Sequence, residues 1–272
     1  MTKRTAPVIR VEHLEVKYGR HVVLRMEQLR VDRGEQISII GPSGAGKTTL
    51  LRTIKGYVRP TRGKVEVLGL NWSTCDRATR RRVQRRIGLV FQQFHLVPRL
   101  TVLQNVLCGR LGSTGRWASL LGHFTSEDQQ IAWRAICEVG LQEQVHQRAD
   151  TLSGGQQQRV AIARVVAQQP EVILADEPVS SLDPVLGAEV LSLLREVTQH
   201  HDATLILILH QPALAKKFGN RVVGLRDGTV VFDDLPSKLT DDRLEEIYHG
   251  YSPVPLHRGD SPTDEPIALV GA

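Results

Sequence analysis

The residues from Gly41 to Thr48 read Gly-Pro-Ser-Gly-Ala-Gly-Lys-Thr. Gly41, Gly44 and Gly46 let the backbone curl, so that successive N–H groups point at one anion. Pro42, Ser43 and Ala45 fill the turn between them. The helix that follows would add its N-terminal dipole to the same phosphate. At this spacing Lys47 reaches the β- and γ-phosphates of a nucleotide, and the Thr48 hydroxyl can ligate Mg²⁺, with Thr49 closing the motif.

A second group lies far along the chain. The apolar run Val172-Ile-Leu-Ala175 ends in Asp176-Glu177. Ligands of parallel sheets gather at the carboxyl ends of strands. Asp176 is therefore placed to hold Mg²⁺, usually through water, and Glu177 to orient or deprotonate an attacking water. Between these groups lies Leu152-Ser153-Gly154-Gly155-Gln156. Ser153 at a helix start followed by two glycines makes a second anion site. Glycine in a first turn costs up to about 1 kcal/mol relative to Ala, so two in succession need a reason. A chain with one complete phosphate loop has no need of a second within itself. This one is read as serving the nucleotide of another subunit.

Positioning such groups requires strands that end where they stand. Alternation marks strands over Ile9 to Val16 and Val22 to Val31. Gln36 to Ile40 is an apolar strand running into Gly41, and Thr48 to Ile54 the helix after it. Lys64 to Gly69 is a further strand, bounded by Pro60 and Gly63. From Gln93 to Gln168 the pattern is helical, with Ser126 and Gln129 as a capping box and Gly112 to Gly122 as a looser connection. Strands resume at Glu171 to Asp176 and Thr204 to His210. Between them Leu186, Val190, Leu193, Leu194 and Val197 line one helix face. A hairpin turning at Asp227-Gly228 closes the core. The alternating part implies a parallel sheet covered by helices.

Composition narrows the class. The 272 residues are 41% hydrophobic and 24% charged, with a net charge of +6. No apolar run approaches the roughly 18–20 residues of a membrane-spanning helix. The basic start, Met1 to His13, has no apolar segment behind it, so no secretory signal is expected. Cys75, Cys108 and Cys137 lack metal or disulfide spacing and read as reduced thiols. The basic run Arg77, Arg80, Arg81, Arg82, Arg85 and Arg86 reads as the solvated face of a short helix. No aromatics interleave it, so nucleic acid is not a predicted partner. No heptad array supports a coiled-coil ATPase of the DNA-repair class.

Taken together, these motifs resemble the ATP-binding subunits of ABC transporters over residues 8 to 245. The resemblance implies an α/β P-loop NTPase of ABC type: a mixed central sheet, an antiparallel β subdomain and a helical subdomain inserted at about 93–168. The domain would span 8–250, and the Pro/Asp/Ser/Thr-rich tail 251–272 is expected to be disordered. By resemblance, Tyr18 stacks on adenine and Gln92 couples Mg²⁺ and water to a transmembrane partner. Ser153 to Gln156 close on ATP held by the opposite protomer, and Ser181-Leu182-Asp183 cross the dimer interface. His210 contacts the γ-phosphate. The implied ligands are ATP and Mg²⁺. The implied partners are a second copy of the chain, two transmembrane permease subunits and, through them, a periplasmic solute-binding protein. The implied location is the cytoplasmic face of the inner membrane, bound peripherally.

The solute never touches such a subunit, so only subfamily resemblance bears on it. Leu100 to Gly112, Trp117, Ser119 to Gly122, Phe124, Gln147 to Asp150 and Leu209 to Gln211 are similar to phosphonate importer ATPases, whose relatives serve phosphite or hypophosphite. An importer of another solute such as polar amino acids, or a soluble ATPase of a phosphonate-degrading complex, are the alternatives. Lys55-Gly56-Tyr57 departs from the subfamily, which carries Asn-Gly there, and the tail has no counterpart.

Overall fold

Strand β1 (Ile9–Tyr18) pairs antiparallel with β2 (His21–Val31), in a register that sets Ile9 opposite Val31 and Leu14 opposite Met26. On its other edge β1 pairs with β4 (Arg62–Val67), followed by the short β5 (Leu70–Asn71), in the order β2-β1-β4-β5. The computed structural model describes residues 6–113 and 124–249. Two expectations therefore lie outside the described residues: most of the Gly112 to Gly122 connection and the tail 251–272. The predicted strand Lys64 to Gly69 is shifted: it starts at Arg62, includes Gly63 and stops at Val67. Gly63 is admitted because β1 passes so close that a Cβ there would lie 2.2 Å from the His13 carbonyl oxygen. Leu68 and Gly69 turn instead, with φ of 52° and 77°.

The second sheet holds six strands in the order β10-β9-β3-β8-β7-β6. These are β3 (Gln36–Ile40), β6 (Ile87–Val90), β7 (Val172–Asp176), β8 (Thr204–Ile208), β9 (Arg221–Arg226) and β10 (Thr229–Asp234). All neighbours are parallel except β9 and β10. Their continuous apolar runs suit a sheet covered on both faces. Alternate residues feed two cores. Leu174, Ile206 and Ile208 join the core shared with the antiparallel sheet and helix α1 (Lys47–Ile54), whereas Ile173, Leu205 and Leu207 join the core under the remaining helices. The predicted strand Thr204 to His210 ends at Ile208, so His210 stands beyond it.

Helix α2 (Arg77–Gln84) buries Val83 and exposes Arg77, Arg81 and Arg82, with Arg85 exposed just beyond it, whereas Arg80 and Arg86 leave the predicted solvated face: Arg80 donates to the Trp72 carbonyl at 2.6 Å and Arg86 pairs with Glu171. Residues 93–101 are irregular, and the helical part begins at α3 (Val102–Leu107), continuing through α4 (Ser126–Glu138) and α5 (Gly154–Ala167). The cap of α4 is Thr125, not Ser126: the Thr125 hydroxyl accepts from the Asp128 N–H at 3.1 Å, and Asp128 bonds back. Arg110 holds the Asp128 carboxylate at 2.8 Å in a buried pair, which selects Asp128 over Gln129 as the partner. Helix α6 (Pro184–His200) buries Val190, Leu191, Leu194, Val197 and Thr198, so its stripe is rotated slightly from the predicted one and leaves Leu186 and Leu193 half-buried. Helices α7 (Pro212–Phe218) and α8 (Asp241–Tyr248) complete the cover. The three cysteines are unpaired.

The β9–β10 turn adopts the predicted hairpin geometry, with Asp227 and Gly228 at φ of 48° and 77°. It does more than connect. The Gly228 N–H donates to the Ala45 carbonyl at 3.2 Å, and its carbonyl accepts from the Arg25 N–H at 2.7 Å.

Candidate functional site

The parallel strands bring the predicted residues to one edge. Reading across β3, β8, β7 and β6, their carboxyl ends release Gly41, His210, Asp176-Glu177 and Gln92 in turn. This is the crevice where α/β sheets bind ligands.

Helix α1 opens on Gly46, at φ 94°, with no side chain capping its first turn. A Cβ on Gly46 would sit 2.8 Å from the Val23 carbonyl oxygen, and one on Gly41, at φ 151°, 2.1 Å from that of Leu225. Lys47 is buried, and its ammonium donates to the carbonyls of Gly41 at 2.8 Å and Pro42 at 2.9 Å. Burial lowers its pKa, while the charges of Glu177 and Asp176 oppose that shift. Ser43 to Thr49 line a cavity of about 360 Å³ together with Val23, Glu177 and His210.

The Thr48 hydroxyl donates to Asp176 Oδ1 at 3.2 Å. Burial raises the Asp176 carboxyl above its ordinary range, an effect the Thr48 bond moderates. A hydroxyl and a carboxylate at one point, beside an uncapped helix N-terminus, are the hard oxygen donors that Mg²⁺ takes, so these residues fit the ion. Glu177 leaves β7 in the left-handed region, at φ 51°, and its N–H donates to the Ile208 carbonyl at 3.2 Å. That strained turn carries its carboxylate across β8 to within 2.5 Å of His210 Nε2. The hydrogen bond from His210 holds the Glu177 carboxyl below the usual range.

Other predicted residues stand apart from this cavity. Gln92 is exposed in the segment after β6, one strand beyond Asp176. Tyr18 ends β1 and is 49% exposed. Ser153 caps α5 in a closed box: its hydroxyl accepts from the Gln156 N–H at 3.3 Å, and the Gln156 side chain accepts from the Ser153 N–H at 3.0 Å. Asp183 caps α6, accepting from Val185 and Leu186 N–H. The Ser153 and Asp183 segments abut each other. A Cβ on Gly154 would lie 3.3 Å from Leu182, and one on Gly155 2.6 Å from Leu186.

Sequence reasoning missed three supports. Val23 contributes a wall of the cavity. Arg164 donates to the carbonyls of Phe94 and His95 at 2.9 and 2.6 Å, tying α5 to the segment that follows Gln92. Lys55 is buried, donates to the Gln84 carbonyl at 2.7 Å and to that of Ile87, and has its pKa pushed down to about 8 by burial. Arg164 and Lys55 are legible only as charges that the fold requires to be inside.

Comparison with known proteins agrees with this geometry. The ABC transporter family model matches residues 24–180. The chain is 46% identical over 241 residues to the phosphonates import ATP-binding protein PhnC of Nitratidesulfovibrio vulgaris, covering 88% of this chain and 91% of that protein. It is 41% identical over 252 residues to the protein of the same name from Escherichia coli, covering 91% and 96%. A dimeric ATP-binding cassette bound to ADP and phosphate in a post-hydrolysis state superposes with a TM-score of 0.69 at 32% identity, over 84% of this chain and 98% of that one. The cbiO1 subunit of an ABC transporter complex from Clostridium perfringens superposes at 0.77 with 25% identity, over 89% and 94%. A family match over more than half of the chain, and relatives this similar over nearly their whole length, show that this chain belongs to the ABC transporter family of ATP-binding cassettes.

Proposed function

We propose that this chain binds and hydrolyses ATP to power an ABC importer for phosphonates or related phosphorus oxyanions such as phosphite. The observation that carries the ATPase reading is the convergence of Lys47, Thr48, Asp176, Glu177 and His210 at the carboxyl edge of one parallel sheet. The phosphonate reading is supported by relatives named as phosphonates import ATP-binding proteins, 41–46% identical over most of the chain.

In this reading Ser43 to Thr49 wrap the phosphates, and Lys47 exchanges its carbonyl partners for phosphate oxygens. Tyr18 stacks on adenine. Thr48 and Asp176, with Gln92, hold Mg²⁺, which when bound neutralises the charge that develops on the phosphate oxygens. Glu177 takes the proton of the attacking water, kept ionised and aimed by His210, which also reaches the γ-phosphate. Two copies sandwich two nucleotides head to tail, so Ser153, Gly154, Gly155, Gln156 and Asp183 of each complete the site of the other. Closure is a population shift driven by tighter ATP binding in the closed state. The motion passes through Gln92 and the helical subdomain, about 93–168 within a domain of 8–250, to two permease subunits fed by a periplasmic solute-binding protein. The chain sits peripherally at the cytoplasmic face of the inner membrane.

Glu177→Gln tests the mechanism. ATP binding should persist, turnover should fall roughly 10²–10⁴-fold, and an ATP-bound dimer should accumulate in gel filtration. A variant turning over at the wild-type rate would remove Glu177 from its role. For the solute, isothermal titration of the periplasmic solute-binding protein that works with this chain's permease should give binding of phosphonates or phosphite. Binding of amino acids or sugars alone would overturn that part.

A further inference from the structure

Away from the nucleotide cavity, two helices end at one point on the surface. Helix α4 terminates at Glu138 and α6 at His200, with His201 as the C-cap residue of α6. The Glu138 carboxylate lies 2.8 Å from His201 Nε2 and 3.9 Å from His200 Nδ1. The two imidazole rings are 5.1 Å apart, and the three potential ligand atoms all lie within 4.8 Å of one another. Among the described residues, this is the group of His, Cys, Asp and Glu side chains spaced to hold an ion.

The electrostatics favour a cation there. The negative ends of two helix dipoles meet the charge of Glu138. A divalent ion answers that negative charge and takes both rings as neutral nitrogen ligands. We propose that Glu138, His200 and His201 form a site for a zinc-like transition-metal ion, fastening the end of α4 in the helical part to the end of α6 in the core. Two imidazoles and one carboxylate select Zn²⁺, Ni²⁺ or Cu²⁺ over Mg²⁺ or Ca²⁺, which prefer oxygen alone. Zinc bonds of 2.0–2.2 Å in tetrahedral geometry put neighbouring ligand atoms roughly 3.4 Å apart. Rotation of the His200 side chain, 71% exposed, closes the longer separation, and a small shift of the Glu138 carboxylate opens its 2.8 Å contact with His201 to that spacing. The fourth position is left to water.

The test uses untagged full-length protein, freed of metal and nucleotide, titrated with ZnCl₂ in a calorimeter and with Co²⁺ in a spectrophotometer. One ion per chain is expected, with visible Co²⁺ absorption of a tetrahedral site. A free ion concentration roughly 100 times Kd should raise Tm by about 5–10 °C. His200→Ala and His201→Ala should each weaken Zn²⁺ at least tenfold and abolish the Co²⁺ absorption, while MgATP hydrolysis stays at the wild-type level. Glu138→Gln gives the same readout should a histidine variant fail to fold. His210→Ala should leave Zn²⁺ uptake unchanged. The proposal falls if the wild type takes up no ion. It falls equally if uptake survives loss of both His200 and His201, or is lost with His210 instead.

Discussion

Helices α1 and α5 both open on glycine-rich segments, yet glycine serves them differently. Before α1, Gly41 and Gly46 occupy the left-handed region, and their missing Cβ atoms make room for backbone carbonyls. At the start of α5, Gly154 and Gly155 are ordinary helical residues whose missing Cβ atoms make room for side chains, Leu182 and Leu186. The first turn of α1 has no side-chain cap and that of α5 is closed by its own Ser153 and Gln156. One helix start is thus open to an anion in the single protomer. The other has one of its first-turn N–H groups, that of Gln156, already taken by its own Ser153 hydroxyl. That asymmetry fits a chain in which one segment binds nucleotide and the other answers to the nucleotide of a second copy.

The contrast can be broken by substitution. Gly46→Ala should have the largest effect, combining left-handed strain with a collision against the fixed Val23 carbonyl. A loss of about 2–5 kcal/mol, shared between stability and nucleotide affinity, should appear in chemical denaturation and nucleotide titration. Gly155→Ala should cost less, about 1–2 kcal/mol of stability, because Leu186 can shift and alanine favours helix. Nucleotide affinity of the isolated protomer should not change. A loss of affinity as large as that of Gly46→Ala would erase the distinction. Ser153→Ala should lower stability by about 1 kcal/mol through the lost cap and should leave protomer binding intact, while weakening the ATP-dependent dimer seen by gel filtration. Mixing it with a Lys47→Ala protomer leaves one intact composite site, so dimer should partly return.

The smallest effect concerns charge. Burial raises the Asp176 carboxyl, so its ionised form costs native stability at neutral pH, and that cost fades as pH falls through the raised value. Asp176→Asn should therefore raise the Tm of the nucleotide-free protein by no more than a few °C near neutrality, with the gain vanishing on acidification. Glu177 has the opposite sign. Its lowered carboxyl contributes stability above the ordinary carboxylate range and loses it as pH falls. A thermal scan of Asp176→Asn with no pH dependence would contradict this assignment.

Much of this arrangement was legible in residue order. Gln36 to Ile40 matched β3 to the residue, and the hairpin at Asp227-Gly228 has the backbone its residues demand. What escaped was decided across distances that local pattern does not carry. The cap of α4 moved to Thr125 because Arg110 anchors Asp128. Gly63 joined β4 because β1 crowds it. At the site, Lys47, Asp176 and Glu177 announced themselves through spacing. The bond between Glu177 and His210 depended on a left-handed turn at a non-glycine residue, which spacing does not reveal. Ser153 was legible as the start of a helix, but the return bond from the Gln156 side chain was not.

The β9–β10 turn has one further consequence. Surface turns are where chains usually absorb inserted residues. This turn is held on one side by Ala45 in the phosphate loop and on the other by Arg25 in β2, and the Gly228 Cα lies 3.7 Å from where a Cβ on Gly46 would stand. It works as a keystone. Lengthening it by one residue would displace the nucleotide loop from a distance of some 180 positions in sequence, so the tolerance expected of an exposed hairpin is withdrawn here by its neighbours.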